Sequence, residues 1–146
     1  MIQLKKTDFD RIVAHSVDNL PEEACGLLGG TIDPETGVKT VEKVYLLENI
    51  DHTNEHFTIS PKDQLQTLKD IRKNGLVQLG NWHSHPETPS RQSEEDKRLS
   101  YDSTASYLIL SLQYRDDPVL KSFNISENQT VSTEEELVIL DDNNNK

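Results

Sequence analysis

The chain has one cysteine in 146 residues, so no internal disulfide can form, and a reducing cytoplasm is the expected location. No run approaches the roughly 18 apolar residues that a bilayer span needs, and the N-terminus lacks the apolar core of a signal peptide. A membrane partner is therefore not expected. Basic side chains are scarce, 15 against 26 acidic ones, for a net charge of −11. Such an excess repels phosphate backbones and argues against nucleic acid as a partner. It is compatible with a basic protein partner, although acidic surfaces commonly serve solubility alone. There is no internal repeat, no linker, and no low-complexity segment apart from DDNNNK at 141–146, expected to be a disordered tail. What remains is 33% hydrophobic and 28% charged, a globular balance. The length suits one domain over 1–140 with a core that needs no disulfide or structural metal.

Thr7 to Leu20 has the spacing of an amphipathic helix, with Phe9, Ile12, Val13, Val17 and Leu20 on one stripe and Thr7 or Asp8 as cap. Pro21 ends it. CGLLGGTI, from Cys25, is a short apolar run bounded by glycines and predicts a buried strand. Asp33 to Gly37 is a turn, and Lys39 to Asn49 returns to complete an antiparallel hairpin. HFTIS, 56–60, is a further short strand candidate. Ser60 caps a second helix over 61–74, with Pro61 at its first position and Leu65, Leu68 and Ile71 as its buried stripe. Leu76 to His85 is the central strand. A short helix over 93–101, strands over 106–114 and 119–125, and a last strand near 136–140 follow. The fold class is α/β, a mixed, mostly antiparallel sheet flanked by the helices at 7–20 and 61–74.

The chemistry concentrates in HSHPETPSRQSEED, from His83 to Asp96. On an extended chain His83 and His85 share one face while Ser84 points away. Ten residues, with Pro86, Pro89 and Ser90 as turn formers, separate His85 from Asp96, enough to fold back and bring a carboxylate beside the imidazoles. Two neutral nitrogens and one carboxylate oxygen are what a catalytic zinc takes from a protein, with a fourth tetrahedral position left for water. A His-x-His pair on a strand is also an ordinary surface pair. Ser93-Glu94-Glu95-Asp96 is equally a helix start with Ser93 as N-cap, and capping and ligation can coexist. His15 is expected to be a partly exposed helix residue. His52 and His56 lie four apart outside any helical pattern and are expected to be loop or substrate-groove residues. Trp82 is expected to pack.

His83-Ser84-His85, seven residues, then Ser93-x-x-Asp96 resembles the signature of the JAMM (JAB, or MPN-plus) zinc metalloproteases. That family also carries an upstream glutamate in a Glu-x-Cys-Gly context, matched by Glu23, Cys25 and Gly26 in PEEACGLLGG, with Glu22 out of register. Gln92 departs from the proline or other turn residue common before the serine. The resemblance covers nearly the whole chain and implies an MPN-like (cytidine-deaminase-like) curved sheet packed between helices, of the compact prokaryotic type. It implies one zinc per chain held by His83, His85 and Asp96, with a net charge near +1 on the ligated ion. Bound water would then ionise near neutrality. It makes Glu23 the general base and Ser93 an oxyanion donor, for hydrolysis of an amide after the C-terminal Gly-Gly of a ubiquitin-like or sulfur-carrier protein. Without the resemblance, Glu23 is simply a solvated carboxylate at a helix end. Two alternatives stand beside this one. The first is a catalytically silent MPN module that scaffolds a partner, disfavoured because all ligands are present. The second makes Cys25 a thiol nucleophile, disfavoured by its apolar surroundings. Neither the outcome of cleavage (a released amino acid, a trimmed precursor, a split isopeptide) nor the oligomeric state is legible.

Overall fold

In a computed structural model, residues 1–142 are described; the last four positions of the tail expected at 141–146 lie outside them. The elements run β1 (Ile2–Lys5), α1 (Lys6–Asp18), β2 (Cys25–Ile32), β3 (Lys39–Leu47), α2 (Pro61–Lys73), β4 (Val77–His85), α3 (Glu94–Arg98), β5 (Ser106–Ser111), β6 (Val119–Ile125), β7 (Ser132–Glu135) and β8 (Leu137–Leu140). All eight strands form one sheet, in the order β7-β6-β5-β4-β2-β3-β1-β8. The β4–β5, β1–β3 and β1–β8 pairings are parallel and the others antiparallel. β7 and β8 sit at opposite ends of this order although only Glu136 separates them in the chain. The sheet therefore curls until it nearly closes as a barrel. Ile2 N–H donates to the Glu136 carbonyl (2.9 Å) at the seam.

A buried polar chain crosses the same seam. Lys39 Nζ donates to the Thr104 carbonyl (2.8 Å) and to Ser106 Oγ (2.7 Å). The Ser106 and Ser122 hydroxyls both donate to Glu135 Oε1, at 2.7 and 2.8 Å. Strands β3, β5, β6 and β7 are thus tied by side chains that would be costly to bury singly.

The larger core lies on one face of the sheet, where Ile2, Leu4, Leu28, Val41, Leu79, Trp82, Leu108 and Leu110 pack with Ile12 of α1. Leu79 and Trp82 both reach it, three residues apart, because Leu79 has no partner on β2 and bulges out of register. Past that bulge the strand alternates regularly. Ser84 follows Trp82 toward the core, and His83 and His85 emerge on the opposite face. On that face Cys25, Leu27 and Ile59 form a smaller cluster with Tyr45, Leu47 and Phe57 beside it.

Several expectations need correction. β1 was not anticipated; it runs directly into α1, so the helix starts at Lys6 with Lys5 at the N-cap and no side-chain cap of its own. Asp142 supplies one from the far end of the chain, accepting from Thr7 N (3.1 Å) and Thr7 Oγ1 (2.8 Å). Residues 56–60 form no strand. They join no ladder: Ile50 N–H donates to the Thr58 carbonyl (2.9 Å), and the Asn49 side chain accepts from Thr58 N (3.1 Å) and donates to the His56 carbonyl (3.0 Å). Val17, Leu65 and Leu68, expected on buried stripes, are exposed, and α2 buries Thr67 and Ile71. The helix at 93–101 is shorter than expected, ending at Arg98 with Leu99 as C-cap.

Candidate metal centre

The parallel β4–β5 pairing runs to the end of both strands, His85 opposite Ser111, so the two histidines leave the sheet on a rigid strand end. Residues 86–92 then fold back, held by Ser111 Oγ donating to the Thr88 carbonyl (2.6 Å) and Ser90 Oγ donating to the Val119 carbonyl (2.6 Å). That delivers α3 over the histidines. In α3, Ser93 Oγ accepts from Asp96 N–H (3.0 Å) while Asp96 Oδ2 accepts from Ser93 N–H (2.9 Å), a reciprocal capping box. One carboxylate therefore caps its helix and faces the imidazoles.

The three groups converge. His83 Nε2 and His85 Nε2 are 3.1 Å apart, His83 Nε2 lies 3.3 Å from Asp96 Oδ1, and His85 Nε2 lies 3.1 Å from Asp96 Oδ2. All three residues are buried, and among the described residues no other set of metal-ligating side chains meets in this way. Four ligands about 2.0 Å from a tetrahedral zinc are separated by about 3.3 Å, so these spacings suit that ion. The ring chemistry agrees. His85 Nδ1 lies 2.9 Å from the Pro89 carbonyl, which can only accept, so Nδ1 carries the proton and the Nε2 lone pair faces inward. Burial pushes the His83 imidazole toward its neutral form against the pull of Asp96. Burial also raises the Asp96 carboxyl, but the pull of the two facing imidazoles and the hydrogen bond from Ser93 N–H outweigh it and hold the group well below the usual carboxylate range. Neutral imidazoles and an ionised carboxylate are the ligand forms a metal requires.

Glu23 stands just before β2, 3% exposed, with Oε1 buried and unpartnered. Burial pushes its carboxyl up to about 9, helped by the carboxylates of Asp96 and Glu95. Its backbone is clamped. Glu23 N–H donates to the Thr53 carbonyl (2.8 Å), and its carbonyl accepts from Asn49 Nδ2 (3.0 Å). Ala24 N–H donates to Ser84 Oγ (2.8 Å), and Ser84 N–H to the Ala24 carbonyl (3.0 Å). Glu22 turns away, accepting from His52 Nδ1 (2.8 Å) at the surface. Sequence reasoning missed Ser84, Asn49 and the Pro89 carbonyl. Strand alternation does turn Ser84 away from the metal face, but its partner 60 residues upstream has no local signal.

The remaining candidates lie apart. His52 and His56 bond separate carboxylates, Glu22 and Asp51. His15 packs edge-on against Trp82 at 5.9 Å between ring centres, and Trp82 Nε1 donates to the Tyr45 carbonyl (3.1 Å). Burial pushes the Cys25 thiol up to about 12, with Glu23 and Asp51 adding to it, so it is a poor nucleophile near neutral pH. Beside the centre, Phe57 stacks on His83 (4.8 Å between ring centres) and Gln92 donates to Ser100 Oγ (3.0 Å). Both border a cavity of about 20 Å³ beside His83 and Asp96. Phe57, Asn81, Leu99 and Tyr107 are shared with a groove of about 340 Å³ that continues past Leu68 and Tyr101.

Comparison with known proteins places this geometry. Residues 5–126 match the family model described as prokaryotic homologs of the JAB domain. The CysO-cysteine peptidase of Mycobacterium tuberculosis is 27% identical over 114 residues, which cover 78% of this chain and 75% of that one. The solution structure of protein DSY2949 from Desulfitobacterium hafniense superposes with a TM-score of 0.88 at 48% identity, covering 97% of this chain and 94% of that one. AF2198, a JAB1/MPN domain protein from Archaeoglobus fulgidus, shares the fold at 20% identity, with a TM-score of 0.60 and 95% and 97% coverage. With a family match across most of its length and the JAB/MPN sheet around its paired histidines, the chain belongs to the prokaryotic JAB-domain family.

Proposed function

We propose that this protein is a zinc-dependent peptidase that hydrolyses the amide bond following the C-terminal Gly-Gly of a ubiquitin-like or sulfur-carrier protein. The observation that carries this reading is a buried set of two imidazoles and a carboxylate beside a second, unpartnered buried carboxylate. The chain's similarity to a relative named CysO-cysteine peptidase supports the substrate class. The narrow cavity beside His83 and Asp96 supports a substrate end without side chains.

His83, His85 and Asp96 would hold the metal. When bound, zinc supplies Lewis-acid polarisation and a water ionisable near neutral pH. Glu23 takes a proton from the attacking water and returns it to the departing nitrogen. Water oxygen joins the carbonyl carbon, the C–N bond breaks, and a carboxylate and an amine leave. Ser93 Oγ accepts from Asp96 N–H, so its own hydrogen remains to donate to the developing oxyanion. Loss of one such donor costs about 3 kcal/mol, roughly a hundredfold in rate.

The test measures zinc and turnover on the same samples, with a carrier protein bearing one residue after its Gly-Gly end. The wild type should hold about one zinc per chain, and His83→Ala/His85→Ala should lose it. Glu23→Gln should keep zinc while turnover falls by roughly 10²–10⁴. Glu22→Gln, altering only the surface pair with His52, should stay close to wild type. Full turnover in Glu23→Gln would remove the proposed base. Carrier binding without cleavage by zinc-loaded wild type would favour the scaffold reading.

A further inference from the structure

The two imidazoles of the candidate centre are not equally supported. His85 Nδ1 donates to the Pro89 carbonyl, whereas His83 Nδ1 is buried and has no hydrogen-bond partner among the described residues. His83 Nε2 is the nitrogen that meets Asp96 and His85, so a neutral His83 ligating through it carries its proton on Nδ1. Phe57 covers a face of the ring and supplies no acceptor from its side chain. A buried N–H left in that condition is costly.

An acceptor in the same condition borders the small cavity beside His83. Gln92 is 8% exposed, and its Oε1 is buried and unpartnered. The neighbouring hydroxyl fixes which way this amide points. Ser100 Oγ donates its one hydrogen to the Asp96 carbonyl (2.6 Å), so from Gln92 it can only accept. The amide therefore gives Nε2 to Ser100 (3.0 Å) and keeps Oε1 for something else. His83 and Gln92 both line the cavity of about 20 Å³. Asn81, two residues before His83 on the same face of β4, adds a third polar side chain to the lining. One water needs about 10–15 Å³ of such space and two to four polar partners. This cavity offers both.

We propose that one buried water in this cavity joins His83 Nδ1–H to Gln92 Oε1, which makes Gln92 a positioning residue for the metal. The water accepts from the imidazole and donates to the amide oxygen, so both orphaned atoms are satisfied together. Through Ser100 the link continues to the Asp96 carbonyl, tying His83 to the helix that carries the third ligand. His83 is then held with its Nε2 lone pair toward the ion, as the Pro89 carbonyl holds His85. A substrate end passes the mouth of the cavity with this water behind it. The inference rests on the zinc reading above and concerns a residue outside its ligand set.

The experiment measures zinc affinity by chelator competition and observes the His83 ring N–H by NMR of zinc-loaded, nitrogen-labelled protein. In the wild type that proton should resonate downfield, as a hydrogen-bonded one, with a cross-peak to water. Gln92→Met, similar in length but without an acceptor, should remove the cross-peak and weaken zinc by roughly 10- to 100-fold. Ser100→Ala removes the hydroxyl between Gln92 and α3 but spares the amide oxygen. It should keep the cross-peak and lose less affinity. Wild-type zinc affinity in Gln92→Met would overturn the proposal, as would a wild-type His83 N–H with no contact to water. Equal losses in both variants with the His83 resonance unmoved would also overturn it, and would assign Gln92 to the packing of α3. A wild type that binds no zinc would sink the zinc reading itself, an outcome separate from any difference between the variants.

Discussion

Glu23 has an unpartnered buried oxygen and faces two other carboxylates, so without a metal it holds its proton up to a pH of about 9. In the unfolded chain the same group ionises near 4.5. Between those values the folded metal-free protein binds the extra proton, and its stability declines as pH rises through the window. Glu23→Gln removes that decline. The metal-free variant should gain on the wild type between pH 5 and pH 8, by about 1–3 kcal/mol at the upper end. Urea denaturation of chelator-treated samples at both pH values checks this, and an unchanged difference between the proteins would mean that the carboxyl is hydrated. The acidic pair at 22–23 shows what was legible at this scale. Composition could not choose between the two glutamates. The resemblance to the Glu-x-Cys-Gly pattern of the family did, and the structure has Glu23 buried and Glu22 at the surface. The clamp on Glu23 was not legible, since Asn49 and Thr53 come from the loop after β3 and Ser84 from β4, far along the chain.

Among the elements, α3 is too short to stand alone; its five residues depend on the capping box. Ser93→Ala should cost about 1 kcal/mol in denaturant unfolding, alongside the loss of rate. Ser93→Asp should recover the stability but not the rate; recovery of both would reduce the serine to a cap. β2 has a second constraint. A Cβ at Gly26 would stand 1.8 Å from the Tyr45 carbonyl oxygen and 2.3 Å from Trp82 Nε1, in the path of the Trp82–Tyr45 hydrogen bond. Gly26→Ala should therefore destabilise by about 3 kcal/mol, read from the urea midpoint, with the Trp82 emission spectrum shifted. A wild-type midpoint would mean that β2 and β3 can separate at no cost. Turn chemistry and capping signals made the hairpin, Ser60 and Ser93 readable in advance. Apolar spacing on α2 misled because it marks a stripe without saying what covers it. Thr67 and Ile71 meet the sheet, and Leu68 borders the groove instead.

At the scale of the molecule, the seam is where long-range order concentrates. Glu135→Ala would orphan the hydroxyls of Ser106 and Ser122 and leave Lys39 without its relayed counter-charge. It should cost about 2–4 kcal/mol, Glu135→Gln less, by thermal or urea unfolding. Equal stability in all three proteins would show the seam to be hydrated and the sheet open. The mixed, mostly antiparallel class was legible from strand spacing and the helices between strands. The order of strands was not, because the polar stretch at 132–135 gave no sign of a strand, and nothing local shows β7 and β8 parting to opposite edges. No helix among the described residues is long and apolar enough to cross a membrane.

That seam also sets a timetable. β1 precedes the other seven described strands in the chain, and one of its two neighbours, β8, follows them all. Thr7 likewise waits for Asp142, 135 positions later, to cap α1. Every residue of the candidate centre is synthesised well before the barrel can close. A nascent chain therefore carries its histidines on an open sheet, with β1 exposing an unpaired edge, until residues 137–140 have emerged. Closure waits for β8, and a ribosome stalled before residue 137 should display a chain that proteases cut within β1 and α1.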